Sequence, residues 1–480
     1  MATISNLGVG SGLNLSDLYD SLETAENSKL TTITTQQTKY QSKITAIGQL
    51  QSALASLQTA TDKLKSVDTF NATAVTSSNT AFSATTASGA VAGSYSINVS
   101  QIAVAQTLIS QPITDASKLG STTGTSRTIT ISQGSGDPVN ITLSDSETSL
   151  SSVVKAINNS GANVSATTIK GSDGNYRLLL SSKETGTDND ITLTVTGDDT
   201  LQAAIGYDST ASSNAMSVQT ASQNAKLTVN GIDVESDSNT ISDALEGVTL
   251  TLKAKSTSDE SLVVDKSVDS VKTAITNFVT AYNKVRSVIG SVTKYTAVDA
   301  GADQSTSNGA LLGDNTVRTV SNRLSSLLTE AQSGGSFAIL AQMGITIDPS
   351  VSESGVTGNL VIDDTKLTDA LTSNAQSVSQ FFVGDGEKTG LGTQLSSTLS
   401  TMLSTSVGKE GIIKTATDGF NTQIDELADR YTKMQATIEA TMARYKTQFT
   451  QLDTLMSQLN ATSSYLTQQF SSTSSSSSSS

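Results

Sequence analysis

The segment from Phe420 to Phe470 constrains the fold more than any other part of the chain. Apolar residues stand at Phe420, Ile424, Leu427, Tyr431, Met434 and Ile438 in alternating steps of four and three. After one extra step of four they resume at Met442, Tyr445, Phe449, Leu452, Met456 and Leu459. Spacing of this kind winds an apolar stripe along one side of a long helix. The 434–438–442 step is a four-residue stutter, which locally unwinds a left-handed supercoil. A helix this long cannot bury its stripe alone, so the sequence predicts partner helices.

The other end of the chain is also helical in pattern. Leu30, Ile33, Tyr40, Ile44, Ile47, Leu54, Leu57 and Leu64 recur at sums of three and four, with Gln37 and Gln51 expected at inward positions, where polar residues weaken a coiled coil and set its register. Before them, Gly8 to Gly12 reads as a flexible start, followed by an amphipathic piece through Leu15, Leu18, Tyr19 and Leu22. Helix is expected again over 264–292, where Val264, Val268, Val271, Ile275, Phe278, Tyr282, Val285, Ile289 and Val292 form a four-three series. Shorter helices are expected over 316–330, with Val317, Val320, Leu324 and Leu327 inward, and over 364–382. Gly384 to Gly392 reads as a glycine-rich break, and Ser471 to Ser480, almost pure serine, has nothing to bury and is expected to lack structure.

Between the helical ends the period changes to two. Tyr95, Ile97 and Val99, then Ile102 and Val104, alternate with polar residues, and the slip between Val99 and Ile102 predicts a bulge or a turn. Far downstream, Leu227 and Val229, then Asn230-Gly231, then Ile232 and Val234 spell a hairpin, because a type I′ turn needs positive φ at both central positions. Val248, Leu250 and Leu252 add a strand. These two blocks read as one β-rich domain split by an insertion over 111–221. The insertion alternates at Ile129 and Ile131, at Val139, Ile141 and Leu143, and at Ile191, Leu193 and Val195, around a helix over 149–159.

Composition removes several classes of function. The formal net charge of −15 disfavours nucleic acid and anionic membrane surfaces as partners. With no histidine, cysteine or tryptophan there is no Ser-His-Asp or Cys-His arrangement, no imidazole or thiolate metal site and no disulfide. Gly8 to Gly12 lacks the preceding strand and the lysine of a phosphate loop. Asp188-Asn189-Asp190 and Asp233 to Asp237 lack the glycine and distal glutamate of an EF-hand, and the neighbours Asp198-Asp199 and Asp363-Asp364 are poorly placed as catalytic dyads. The reading is therefore no enzyme, no cofactor and no metal. No window approaches a membrane span, and Met1 to Leu15 has no basic region ahead of an apolar core, so by itself the sequence reads as cytoplasmic.

The run from Gln448 to Leu466, with Phe449, Leu452, Asp453, Met456, Leu459, Asn460, Tyr465 and Leu466 in place, closely resembles the C-terminus of bacterial flagellar filament cap proteins, also called hook-associated protein 2. Gly8 to Leu13 resembles the start of the same family. Within the insertion, Val154 to Asn158, Val164-Ser165-Ala166 and Tyr176 to Ser182 resemble the repeat found inside flagellins and hook-associated proteins. The resemblance implies a secreted protein at the distal tip of the flagellum that leaves through the flagellar type III export apparatus, which reverses the cytoplasmic reading. It implies a homo-oligomer of about five copies, with four to six compatible with the periodicity. Flagellin, a hook–filament junction protein and a cytosolic export chaperone are the other implied partners. Its mechanism is steric: a plate of β domains with helical legs, beneath which exported flagellin folds and inserts.

The expected architecture is α+β and multidomain, with long terminal coiled-coil-type helices flanking a β-rich head domain that carries a second, inserted β-rich domain. Residues 1–40 and 411–470 are terminal helices, disordered until assembly. Residues 41–70 and 264–410 form a helical leg, 71–110 and 222–263 the head, 111–221 the insertion, and 471–480 a disordered serine tail. The assembly and partner-binding residues are Tyr431, Met434, Ile438, Met442, Tyr445, Phe449, Leu452, Leu455, Met456, Leu459, Tyr465 and Leu466. Two alternatives stand beside the cap: a tip adhesin that binds host mucin or glycans through the insertion, and another axial protein such as flagellin or a hook–filament junction protein.

Overall fold

The computed structural model describes residues 7–9, 11–121, 126–350 and 356–476, and these divide into two compact units, one of residues 1–67 with 272–480 and the other of 68–271. The first unit opens with one unbroken helix, α1 (Leu15–Leu64), so the expected boundary near residue 40 is not a break in the chain. Over the second half of α1 Ile47, Leu50, Leu54, Leu57, Thr61 and Leu64 are buried in steps of three and four, with the small Ala46 and Ala53 buried beside them. Leu50 is thus the inward residue and Gln51 is exposed, contrary to the expectation for Gln51. Thr61 occupies a core position because its hydroxyl donates to the Leu57 carbonyl at 2.7 Å.

A short helix, α2 (Val67–Phe70), leads into the β-rich second unit. Its strands are β1 (Thr73–Val75), β2 (Phe82–Thr86), β3 (Gly93–Gln101), β4 (Thr107–Ser110), β5 (Arg127–Gln133), β6 (Val139–Leu143), β7 (Val164–Lys170), β8 (Tyr176–Ser182), β9 (Ile191–Thr196), β10 (Met216–Thr220), β11 (Ala225–Val229), β12 (Ile232–Ser236), β13 (Thr240–Leu245), β14 (Val248–Leu252) and β15 (Glu260–Lys266), with helices α3 (Leu150–Asn159) and α4 (Asp199–Ile205) between them. Two sheets, β1-β15-β3-β11-β12 and β13-β14-β2, enclose a core of Phe82, Ile97, Val99, Leu227, Leu250 and Leu262. Asn230 and Gly231 turn β11 into β12 with φ of 52° and 80°, the pair of positive values a type I′ turn requires. The slip after Val99 is a bulge: Gln101 pairs with Lys226 and Val99 with Leu227, leaving Ser100 unopposed.

The inserted part has its own two sheets, β10-β4-β8-β7 and β6-β5-β9, around Leu108, Ile129, Val153, Ile157, Leu178, Leu180 and Leu193. Strand β4 pairs with β8 and β10, so the insertion begins before Thr107 rather than at 111. Ser149 caps α3 by accepting from the Ser152 N–H. The guanidinium of Arg127, fully buried at the start of β5, is held by Asp145 at 2.6 Å and by Asp198 at 3.3 Å, the latter an ion-pair contact without hydrogen-bond alignment. Asp198 also caps α4, accepting from the N–H groups of Thr200 and Leu201.

The first unit resumes with α5 (Val268–Val292), α6 (Asn315–Thr329), a two-stranded hairpin β16 (Ile345–Ile347) and β17 (Leu360–Ile362), then α7 (Asp364–Ser373), α8 (Ala375–Val383), α9 (Leu391–Leu403) and α10 (Ile412–Ser476). Val264, expected at the head of the α5 stripe, belongs instead to β15, where it is buried opposite Val75 and Gly93. In α6 the fourth inward residue is Leu328 rather than Leu327. The stretch expected as one helix over 364–382 breaks at Asn374. Helix α10 runs on through Ser471 to Ser476 where the serine tail was expected to lack structure, and residues 477–480 lie outside the described residues.

Candidate functional site

Helices α1 and α10 lie antiparallel: Tyr40 meets Phe420 with ring centroids 6.0 Å apart, and the turn before α1 meets Asp453. Each therefore covers the other's stripe, which is why two segments expected to await assembly form helices here. Gly8 to Gly12, expected to be a flexible start, is tied down at its described residues. Ser11 is buried, its N–H donates to Asp453 Oδ1 at 2.8 Å, and its carbonyl accepts from Asn460 Nδ2 at 3.3 Å. Gly8 has φ +95°, and a side chain there would run into the Leu13 carbonyl, so glycine is required. Asp453 and Asn460 lie one heptad apart in the C-terminal string, a polar spacing that could have marked the contact in the sequence. Gly10 and Met1 to Asn6 lie outside the described residues.

The expected assembly residues divide into two groups. Ile438 and Met442 are buried, and Tyr431, Met434, Tyr445, Phe449 and Met456 are half-buried, with the rings of Tyr445 and Phe449 stacked at 6.4 Å. These seven belong to the seam with α1. Leu452, between Phe449 and Met456, and the apolar positions past Met456 lack that cover. Leu452 is 38 % exposed, and Leu455, Leu459, Tyr465 and Leu466 are all exposed, as is Phe470, a further aromatic of the same surface. Leu459, Leu466 and Phe470 line an open apolar concavity with Thr462, Ser463 and Thr467 between them.

The carboxylates considered for chemistry have local tasks. Asp363 caps α7 by accepting from the Lys366 N–H at 3.1 Å, and this bond, with the Lys366 charge, holds its carboxyl below the ordinary range. Burial alone would raise the Asp198 carboxyl, but the N–H groups of Leu201, Ser121 and Thr200 and the Arg127 guanidinium together hold it low. Asp190 accepts from the Ser222 hydroxyl, and Asn189 donates to the Thr185 carbonyl at 2.8 Å. Among the described residues no cluster of three carboxylates is placed to hold a metal ion, and no helix is long and apolar enough to cross a membrane.

Comparison with known proteins places these features in a family. The family models described as Flagellar hook-associated protein 2 N-terminus and C-terminus match residues 11–106 and 222–461, and the Flagellin hook IN motif matches 128–184, inside the insertion. Flagellar hook-associated protein 2 of Escherichia coli is 50 % identical over 98 % of both chains. The corresponding protein of Salmonella typhimurium is 42 % identical over 98 % of this chain and 99 % of its own length. A crystal structure of three domains of the flagellar cap protein FliD from Escherichia coli superposes with a TM-score of 0.62 at 46 % identity, covering 78 % of this chain and 99 % of that one.

Helical ends that cover each other, a β-rich unit between them in sequence, and an apolar surface left open on the last helix define the subunit of an axial assembly. The chain belongs to the flagellar hook-associated protein 2 family, the filament cap proteins. It is a structural protein of the flagellar filament tip, and its cap family and its Flagellin hook IN motif associate it with the components of that filament. The match at both ends is to the cap family, which separates the chain from flagellin proper and from hook–filament junction proteins.

Proposed function

We propose that the α1–α10 pair is the part of the cap that seats in the filament end, and that Leu452, Leu455, Leu459, Tyr465 and Leu466 make the contact. The observation carrying this reading is the loss of cover along α10: the stripe is shielded as far as Met456 except at Leu452, yet the helix continues through Ser476 with its apolar residues open. Tyr431, Met434, Ile438, Met442, Tyr445, Phe449 and Met456 then position that surface by holding α10 to α1. In this reading the β-rich parts, with the head over about 71–106 and 222–263 and the insertion between, form the plate. About five copies make the cap. Flagellin folds and inserts beneath it, a hook–filament junction protein receives the first cap, and a cytosolic chaperone covers the 449–466 surface before type III export. An open apolar helix face of this extent is an aggregation hazard in free protein, which is the physical reason for a chaperone there.

A photoreactive residue placed at Leu459 tests the contact. Irradiation of capped filaments is expected to join the chain to a filament subunit, whereas the same residue at Val407, in the exposed α9–α10 loop, is expected to give no adduct. Equal yields from the two positions would place the contact elsewhere.

A further inference from the structure

The hairpin of β16 and β17 has one closed edge and one open one. At its two ends the Asp363 N–H donates to the Gly344 carbonyl and the Asp348 N–H to the Asn359 carbonyl, both at 2.8 Å. Bonding alternates along an antiparallel ladder, so Thr346 and Val361 bond each other and the main chains of Ile345, Ile347, Leu360 and Ile362 face outward. On the β17 side α5 closes the edge: the Leu360 N–H donates to Asn283 Oδ1 at 2.7 Å, and the Leu360 carbonyl accepts from Asn283 Nδ2 at 2.8 Å. On the β16 side, among the described residues, no hydrogen bond takes up the N–H or C=O of Ile345 or Ile347.

The open edge borders an apolar groove of about 320 Å³. Leu328, Leu340, Ile345 and Leu360, all buried, line it together with Ile339 and Ile347, which are 41 % and 48 % exposed. No ionisable side chain lines it. A strand added antiparallel beside β16 sets residues opposite Ile345 and Ile347, and their side chains point to the same face as those isoleucines, into the groove. Sheet edges are ordinarily guarded by charge, proline or a bulge. Here Asp348 and Pro349 stop the strand after three residues, and the three themselves, Ile345, Thr346 and Ile347, carry no guard.

We propose that β16 takes up an extended segment of an unfolded polypeptide as an added antiparallel strand, and that the occupant is the exported flagellin chain before it folds. The segment bonds its main chain to Ile345 and Ile347 and lays aliphatic side chains in the groove. The site is separate from the α10 surface, and its occupant rests on the reading that exported subunits fold beneath the cap. A chain that arrives unfolded presents what such an edge can use: free main-chain donors and acceptors and uncovered aliphatic side chains. With no charge in the lining, selection falls on alternating aliphatic residues rather than on one particular sequence. An edge of three residues offers few bonds, so the hold is brief, and the segment leaves as its own fold takes those bonds over.

The test uses the full-length protein and an end-blocked, fluorescent heptapeptide of alternating threonine and valine, followed by anisotropy. Wild type is expected to bind it. N-methylation of the valines removes the donors turned towards Ile345 and Ile347 and is expected to weaken binding about tenfold or more. I347P removes an outward donor without touching the ladder to β17, and I339D places a charge beside the groove; each is expected to weaken binding as much. V361T, on the opposite face of the hairpin, is expected to bind as wild type does. In a host that lacks its own cap protein, I339D is expected to give shorter filaments and more soluble flagellin but not bare hooks, because the α10 surface still seats. A peptide that wild type does not bind, or that wild type, I347P and I339D bind equally, would overturn the edge site while leaving the α10 seat standing. Filaments of normal length from I347P and I339D, with peptide binding lost, would overturn exported flagellin as the occupant. Self-association that both variants abolish would overturn it in favour of a second copy.

Discussion

A chain carrying both Phe449→Asp and Leu452→Asp is expected to leave a host that lacks its own cap protein with bare hooks, while the β-rich unit melts as in wild type. Leu452 is 38 % exposed, so its change costs the free chain little burial, whereas Phe449 is half-buried in the seam and its change also loosens the hold of α10 on α1. In the seated cap Leu452 is the first uncovered position, and Phe449 beside it holds that surface in place. Losing two large apolar contacts there, each worth about 1.5–3 kcal/mol, removes about 5 kcal/mol before the desolvation of two carboxylates is added. That is three to four orders of magnitude in occupancy of the filament end. Filament number per cell and soluble flagellin in the medium read the effect. A double variant that restores filaments would show that this face of α10 is not the seat.

The second large effect lies far from the contact surface in sequence. Asp198→Ala is expected to destabilise the insertion by about 3–5 kcal/mol, because the Arg127 guanidinium stays fully buried with one of its two carboxylates gone. The substitution also removes the cap of α4, worth about 1 kcal/mol. Calorimetry of the full chain should show the insertion's transition falling while that of the helical unit holds. Removing both partners, as in R127M/D198L, is expected to cost less than D198A, since no charge is stranded. The sign of the pH dependence follows from the carboxyl's position. Asp198 is held below its ordinary 3.8 in the folded chain, so its contribution is complete above that value and is lost as pH falls through the lower, folded one. As pH falls below the ordinary carboxylate range, the wild-type insertion should lose stability that D198A no longer has to lose.

Where a local pattern had one physical solution, the sequence carried it plainly. Asn230-Gly231 between alternating runs admits only a tight turn, and the four-three stripe of α10 admits only a long helix with a partner. Long-range pairing was less legible. Strand β4 continues the alternation of β3, and only its pairing with β8 and β10 assigns it to the insertion. Val264 fits the four-three series that follows it and the alternation that precedes it, and the β1 and β3 partners decide for the strand. Helix α9 is hard to read in the sequence although Leu391, Leu395, Leu399 and Met402 keep helical spacing. Its buried Gly392, Thr393 and Ser396 look like loop chemistry, yet small residues there let α9 approach the end of α1, where Ser396 Oγ accepts from Lys65 and donates to Asp62. The hairpin β16–β17 is three residues a side, too short for a period to show.

On the assembly surface the stripe itself was readable, but its division was not. Periodicity treats Ile438 and Leu459 alike. The structure separates them, because α1 begins at Leu15 and the turn before it ends its cover near Asn460. The tie from Ser11 to Asp453 and Asn460 joins residues 442 and 449 positions apart, beyond the reach of any local pattern.

The most direct measurement is deletion of the gene in its motile host, with monomeric flagellin assayed in the medium and filaments counted on the cells. Abundant secreted flagellin with bare hooks, reversed by the wild-type chain, is the predicted result. Filaments of normal number and length without the protein would contradict its role as the cap.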